Sequence, residues 1–125
     1  MNKAIVLLRS RLDRFGVLLS GLCMVHCLAG LFLVGILGLG GGVLLDPAIH
    51  RVGLVLALVV GASTIGLGAL RHGHRLPLVA GVAGLSLMAG AVLVEHGSAE
   101  AVLTIGGVLL VAIAHVVNIR RGTAC

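Results

Sequence analysis

The chain has 125 residues, of which 59% are hydrophobic and 10% charged, with a mean hydropathy of +1.23. That composition excludes an ordinary water-soluble domain and points to a chain surrounded mostly by lipid. The net charge of +5 does not point to nucleic acid, because Trp and Tyr are missing and Phe15 and Phe32 are the only aromatic rings of that class.

Residues 1–14 mix Ile5, Leu8 and Leu12 at helical spacing with Lys3, Arg9, Arg11 and Arg14. The pattern reads as a basic amphipathic segment on the membrane surface, with Arg9 and Asp13 as an i,i+4 pair. A disordered basic tail is the alternative. A cleaved signal peptide is not expected. The apolar stretch from Phe15 is too long, and no small-x-small site ends it early.

The first span is expected over 15–39, loosened at its end by the glycines of 38–42. Asp46-Pro47 reads as a turn or the start of a helix. A second span follows over 52–70, then a tight polar hairpin at 71–75. Pro77 suits the first turn of a third span over 76–94. A loop at 95–100 precedes a fourth span over 101–117, with Ser98 and Glu100 as N-terminal helix residues. Asn118, Arg120 and Arg121 return the chain to the interface, and 122–125 form a short tail. The fold class is all-α: an integral membrane four-helix bundle.

Eight of the nine Lys and Arg residues lie in the N-terminal segment, the 71–75 hairpin and the C-terminal tail; the ninth is Arg51. With four spans, those three segments share one side, so both termini are expected to be cytoplasmic. Small residues four apart are the expected packing devices: Gly16 and Ser20, Ala62 and Gly66, Ala80 and Gly84, Ser86 and Gly90.

The chemistry-bearing feature is Cys23-Met24-Val25-His26-Cys27. On a helix, Cys23, His26 and Cys27 share one face, and such residues within a span are costly and few. Counted from Phe15, both thiols fall near the bilayer middle. Thiolates and imidazole suit soft and borderline metals such as Hg, Zn or Cu. A metal replacing the thiol proton also removes the cost of a buried thiolate. The alternative is that each cysteine packs as a small hydrophobe. His115 is either a relay ligand toward the cytoplasm or, with Asn118, an inter-helix hydrogen-bonding residue. His72 and His74 read as a solvated turn. His50, Glu95 and His96 read as loop polarity, and Cys125 as a free tail thiol. Asp46, Glu95 and Glu100 are expected to lie too far from the thiols to act with them. No hydrolytic or phosphate-binding motif is present, so no enzyme is expected.

These residues, taken in order, resemble the MerC family of small four-span inner-membrane proteins. The resemblance runs from Asp13-Arg14-Phe15-Gly16 through Cys23–Cys27 to His50, the 71–75 hairpin with Pro77, Glu95-His96, and Ala114-His115-Val116-Val117-Asn118. It implies a MerC-like domain over 15–121 and uptake of mercuric ion, with Cys23 and Cys27 as ion-binding residues. The family's mercury-resistance members carry a closer first-span pair and a cysteine pair in the tail. This chain has three residues between its thiols and a single tail cysteine, which widens the expected cargo to other metals. The expected partners are the lipid bilayer, a metal ion as cargo and a second copy of the chain in an oligomer, with a monomeric carrier equally compatible. No resident cofactor is expected. A haem-binding bundle is a further alternative, disfavoured because His26 and His115 are expected at different depths.

Overall fold

A computed structural model describes residues 2–38, 42, 46–73, 75–95 and 97–123, without the side chains of Val34, Gly35, Arg71, His72, Gly122 and Thr123. Among the described residues the regular elements are helical throughout. They are α1 (Lys3–Gly35), α2 (Pro47–Gly61), a π turn (Ala62–Gly66), α3 (Leu67–His72), α4 (Arg75–Leu93) and α5 (Ser98–Thr123). The segments α2, π turn and α3 run on as one rod. The four rods pack in chain order, α1 on α2, α2 on α4 and α4 on α5, and α5 closes the ring against α1.

The helix boundaries follow local chemistry. Asn2 caps α1, accepting a hydrogen bond from Ala4 N. Asp46 caps α2, accepting from Ala48 N at 2.9 Å, and Pro47 occupies the first helical position. Gly73 ends α3 in the left-handed conformation (φ 65°), with its N–H donating to Ala69 O. Glu100 stands in the first turn of α5, and Arg120 and Arg121 in its last.

The first rod differs from the sequence expectation. No break separates 1–14 from the span, and α1 runs unbroken over 33 residues, about 50 Å. It ends at Gly35, ahead of Gly38, whose φ is +63°. Two contacts hold the early part of the rod in the bundle. Asp13 is buried against α5, and Gly16 lies on the His115 ring, where a Cβ would come within 2.5 Å of Nε2.

The molecule is inside-out relative to a water-soluble protein. Leu70 and Leu93 are 85% and 86% exposed, whereas Asp13, Ser20, Thr64, Glu100, Thr104, His115 and Asn118 are buried. Lipid removes the drive to bury leucine and raises the cost of exposing polar groups. Among the described residues, four helices are long and apolar enough to cross a membrane. The chain is a multi-pass membrane protein.

Small residues bring the rods together, but only some of those expected. Gly84 and Gly107 set the α4–α5 seam, since a Cβ on either would lie 2.6 Å from the other's carbonyl oxygen. Gly16 and Ser20 are buried on α1, as expected. Ser86 and Ala62 are exposed, and a Cβ at Gly90 would meet nothing within 4 Å, so those positions face outward.

Candidate functional site

Two polar clusters occupy opposite ends of the bundle. Along the second rod, Thr64 lies about 8 Å from the midpoint of 47–70 and His50 about 13 Å from it on the other side.

At the end carrying both termini, α1, α5 and the π turn meet through Asp13. His115 Nδ1–H donates to Asp13 Oδ1 at 2.8 Å, and Asn118 Nδ2 donates to Asp13 Oδ2 at 2.9 Å. Arg9 Nη2 donates to Asn118 Oδ1 at 2.8 Å. Asn118 Nδ2 also reaches Thr64 O at 3.5 Å, in the π turn. Thr64 Oγ1 bonds back to Val60 O, a habit that bends helices. Gly68 leaves room for the Arg9 and Asn118 side chains, since a Cβ there would lie 2.5 Å from Arg9 Nη2. Every rod except α4 contributes to this knot. Asp13, Thr64, His115 and Asn118 are nearly solvent-free and Arg9 is half-buried, and removing one buried partner would strand the others.

The Arg9–Asp13 pair expected on one helix face is replaced by cross-helix bonds: Arg9 goes to α5, and Asp13 accepts two donors there. His115 and Asn118 make inter-helix hydrogen bonds, one of the two roles expected for this pair. Their partners were invisible in the sequence because Asp13 and His115 are 102 residues apart.

Above the knot lies a cavity of about 10 Å³, room for about one water sphere. It is lined by Ser20, Cys23 and His115, among others. Cys23 is half-buried, packs against the core of Ala57, Met88, Val108 and Val111, and faces Gly53 of α2.

Cys27 is also half-buried, near the far end. Its Sγ lies 3.8 Å from His50 Nε2. His50 Nδ1 in turn lies 3.7 Å from Glu100 Oε1. The His26 ring stands edge-on to the His50 ring, with centroids 5.8 Å apart and planes at 67°. His26 Nε2 and His50 Nδ1 are buried without a hydrogen-bond partner among the described residues.

Three expectations change here. Cys27 is level with the first turns of α2 and α5, not with the middle of the bundle, because α1 starts well before Phe15. His50 belongs with Cys27 and is not mere loop polarity, and Glu100, expected far from the thiols, stands behind the His50 ring. Cys23, His26 and Cys27 do not converge: among the described residues no three His, Cys, Asp or Glu side chains are placed to hold one ion. The signal for the far-end cluster was present as His50 and Glu100 in the first turns of two helices, but their rotation toward Cys27 is a tertiary fact. The direct contact of the His26 and His50 rings leaves no space for a haem between them, and His115 is at the opposite end. Glu95 is exposed. His74, His96 and Cys125 lie outside the described residues, as does the side chain of His72.

No curated protein and no solved structure matches the chain. The family described as MerC mercury resistance protein matches residues 13–120, from the buried Asp13 to the last turn of α5, and so takes in the far-end cluster and all of the termini-end cluster except Arg9. The chain belongs to the MerC family.

Proposed function

We propose that this MerC-family protein transports or binds a soft metal ion in the membrane. Cys23 and Cys27 are its thiol ligands, His26 assists, and His115 relays the ion toward the termini. The family description supports mercuric ion as cargo, and the same donors also suit zinc or copper. The Lys/Arg distribution supports an inner-membrane protein with both termini cytoplasmic. The protein acts as a carrier and not as an enzyme, alone or as a homo-oligomer.

One observation carries this reading: both thiols face α2 in the seam between the first two rods, opposite Gly53 and His50, instead of facing acyl chains. A thiol pair placed for packing with lipid has no need of that direction. The cavity supplies a second support, since Cys23 and His115 both border it. Cargo leaving Cys23 toward the termini meets His115 next.

A structural or accessory role is favoured by a different observation. The cavity is too small for a hydrated ion, and Cys23 packs on the core as a small hydrophobe does. Metal analysis of the purified protein against the Cys23→Ala/Cys27→Ala double variant separates the two. The transporter reading expects bound soft metal and uptake into proteoliposomes for the wild type, and loss of both in the double variant. Equal metal content and equal uptake leave only the packing role.

A further inference from the structure

We propose that the cation enters at a mixed sulfur–nitrogen site spanning two helices, formed by Cys27 Sγ and His50 Nε2, with Glu100 behind the imidazole. The proposal rests on the metal-ion reading above and deepens it. It names the far end as the place of capture and a borderline divalent cation of the zinc type as the preferred cargo class.

The geometry carries it. An ion with metal–sulfur and metal–nitrogen distances of about 2.3 Å and 2.0–2.1 Å in tetrahedral geometry holds those two donors about 3.6 Å apart. Cys27 Sγ and His50 Nε2 are 3.8 Å apart, close to that edge. On the other side of the ring, Nδ1 faces Glu100 Oε1 at 3.7 Å. A carboxylate behind a ligating histidine holds the proton on the rear nitrogen and leaves the front lone pair for the metal. His50 is placed for that role, with its front nitrogen toward the thiol and its rear nitrogen toward the carboxylate. The rear nitrogen is buried and has no hydrogen bond among the described residues. His26, its ring edge-on to that of His50 and its Nε2 without a hydrogen-bond partner among the described residues, is a further nitrogen beside the site.

The site is incomplete by structural-metal standards, since no three such side chains converge among the described residues. That suits cargo. A closed four-ligand cage traps zinc, whereas passage requires a site strong enough to load and weak enough to release. The mixed donor set also shifts preference. Paired thiolates favour the softest ions, while a thiolate with an imidazole favours zinc and its neighbours. Cys23 is then a second, deeper stop, about 6 Å further along α1 toward the cavity. On loading, the Cys27 S–H bond is replaced by a sulfur–metal bond and the proton leaves to solvent.

The test is zinc X-ray absorption on the full chain in lipid nanodiscs at one equivalent of Zn²⁺, with zinc titrations of variants. The expected result is one sulfur in the zinc shell, the remainder nitrogen or oxygen. Zinc affinity falls at least about tenfold in His50→Ala and about tenfold in Glu100→Gln, the usual loss for a partner behind a ligand. His50→Gln keeps a polar side chain of similar size and shows the same loss if His50→Ala does not fold. Two sulfurs in the zinc shell overturn the mixed site whatever the variants do. So does one sulfur with undiminished affinity in His50→Ala and His50→Gln. Failure of the wild type to take up Zn²⁺ also overturns it. If that protein still binds Hg²⁺ through two sulfurs, the soft-metal carrier reading survives. If it binds neither ion, both fall.

Discussion

The two polar ends of the bundle are built from similar residues and differ in how completely they are satisfied. At the termini end, Asp13, His115, Asn118 and Arg9 exchange bonds of 2.8–2.9 Å, sealed by Gly16 and Gly68. At the far end, Cys27, His50 and Glu100 stand 3.7–3.8 Å apart, and nitrogens of His26 and His50 lack hydrogen bonds among the described residues. A saturated network in low dielectric locks helices together, because every member loses a partner if one moves. Ring nitrogens without a partner among the described residues, such as His26 Nε2 and His50 Nδ1, contribute little to the lock and stay available for something else. Function is therefore sought where bonds are missing, and fold specificity where they are complete.

Asp13→Ala breaks the comparison most severely. It leaves the donors of His115 and Asn118 buried without their acceptor, and breaking such a buried pair costs about 3–5 kcal/mol. Unfolding of the protein in mixed micelles measures it. A loss under about 1 kcal/mol would mean that the termini end is no lock. Gly107→Val comes next. Its side chain would press on the Gly84 carbonyl and the Met88 side chain, so the α4–α5 seam opens at a cost of about 1–3 kcal/mol, read by the same assay.

His50→Ala sharpens the contrast from the other end. Its Nε2 has a 3.8 Å contact to Cys27 Sγ, and its Nδ1 lies 3.7 Å from Glu100 Oε1 without a hydrogen bond among the described residues. Stability should fall by less than about 1 kcal/mol, well below the loss from a buried pair. A loss as large as that of Asp13→Ala would show both ends to be structural. The smallest effect is expected at Gly90→Ala. That position opens on nothing within 4 Å, and surface substitutions of this kind stay within about 0.5 kcal/mol. A larger cost would show that a second molecule, and not lipid, covers that face.

The sequence alone determined that the chain crosses a membrane with four apolar rods and, apart from the early start of the first, roughly where each begins and ends. Hydropathy, the Asp46-Pro47 start, the Gly73 stop and the acidic first turn of α5 are local signals, and local energetics decide them. It also marked Cys23, His26, Cys27 and His115 as costly residues inside apolar runs. Only the tertiary structure decided how they are used. Helix rotation and the early start of α1 turned Cys27 toward His50 and Glu100, left Cys23 on the core, and bound His115 to Asp13. Each of those pairings joins residues on different rods, and their relative register comes from glycine contacts and buried hydrogen bonds that no stretch of contiguous sequence contains.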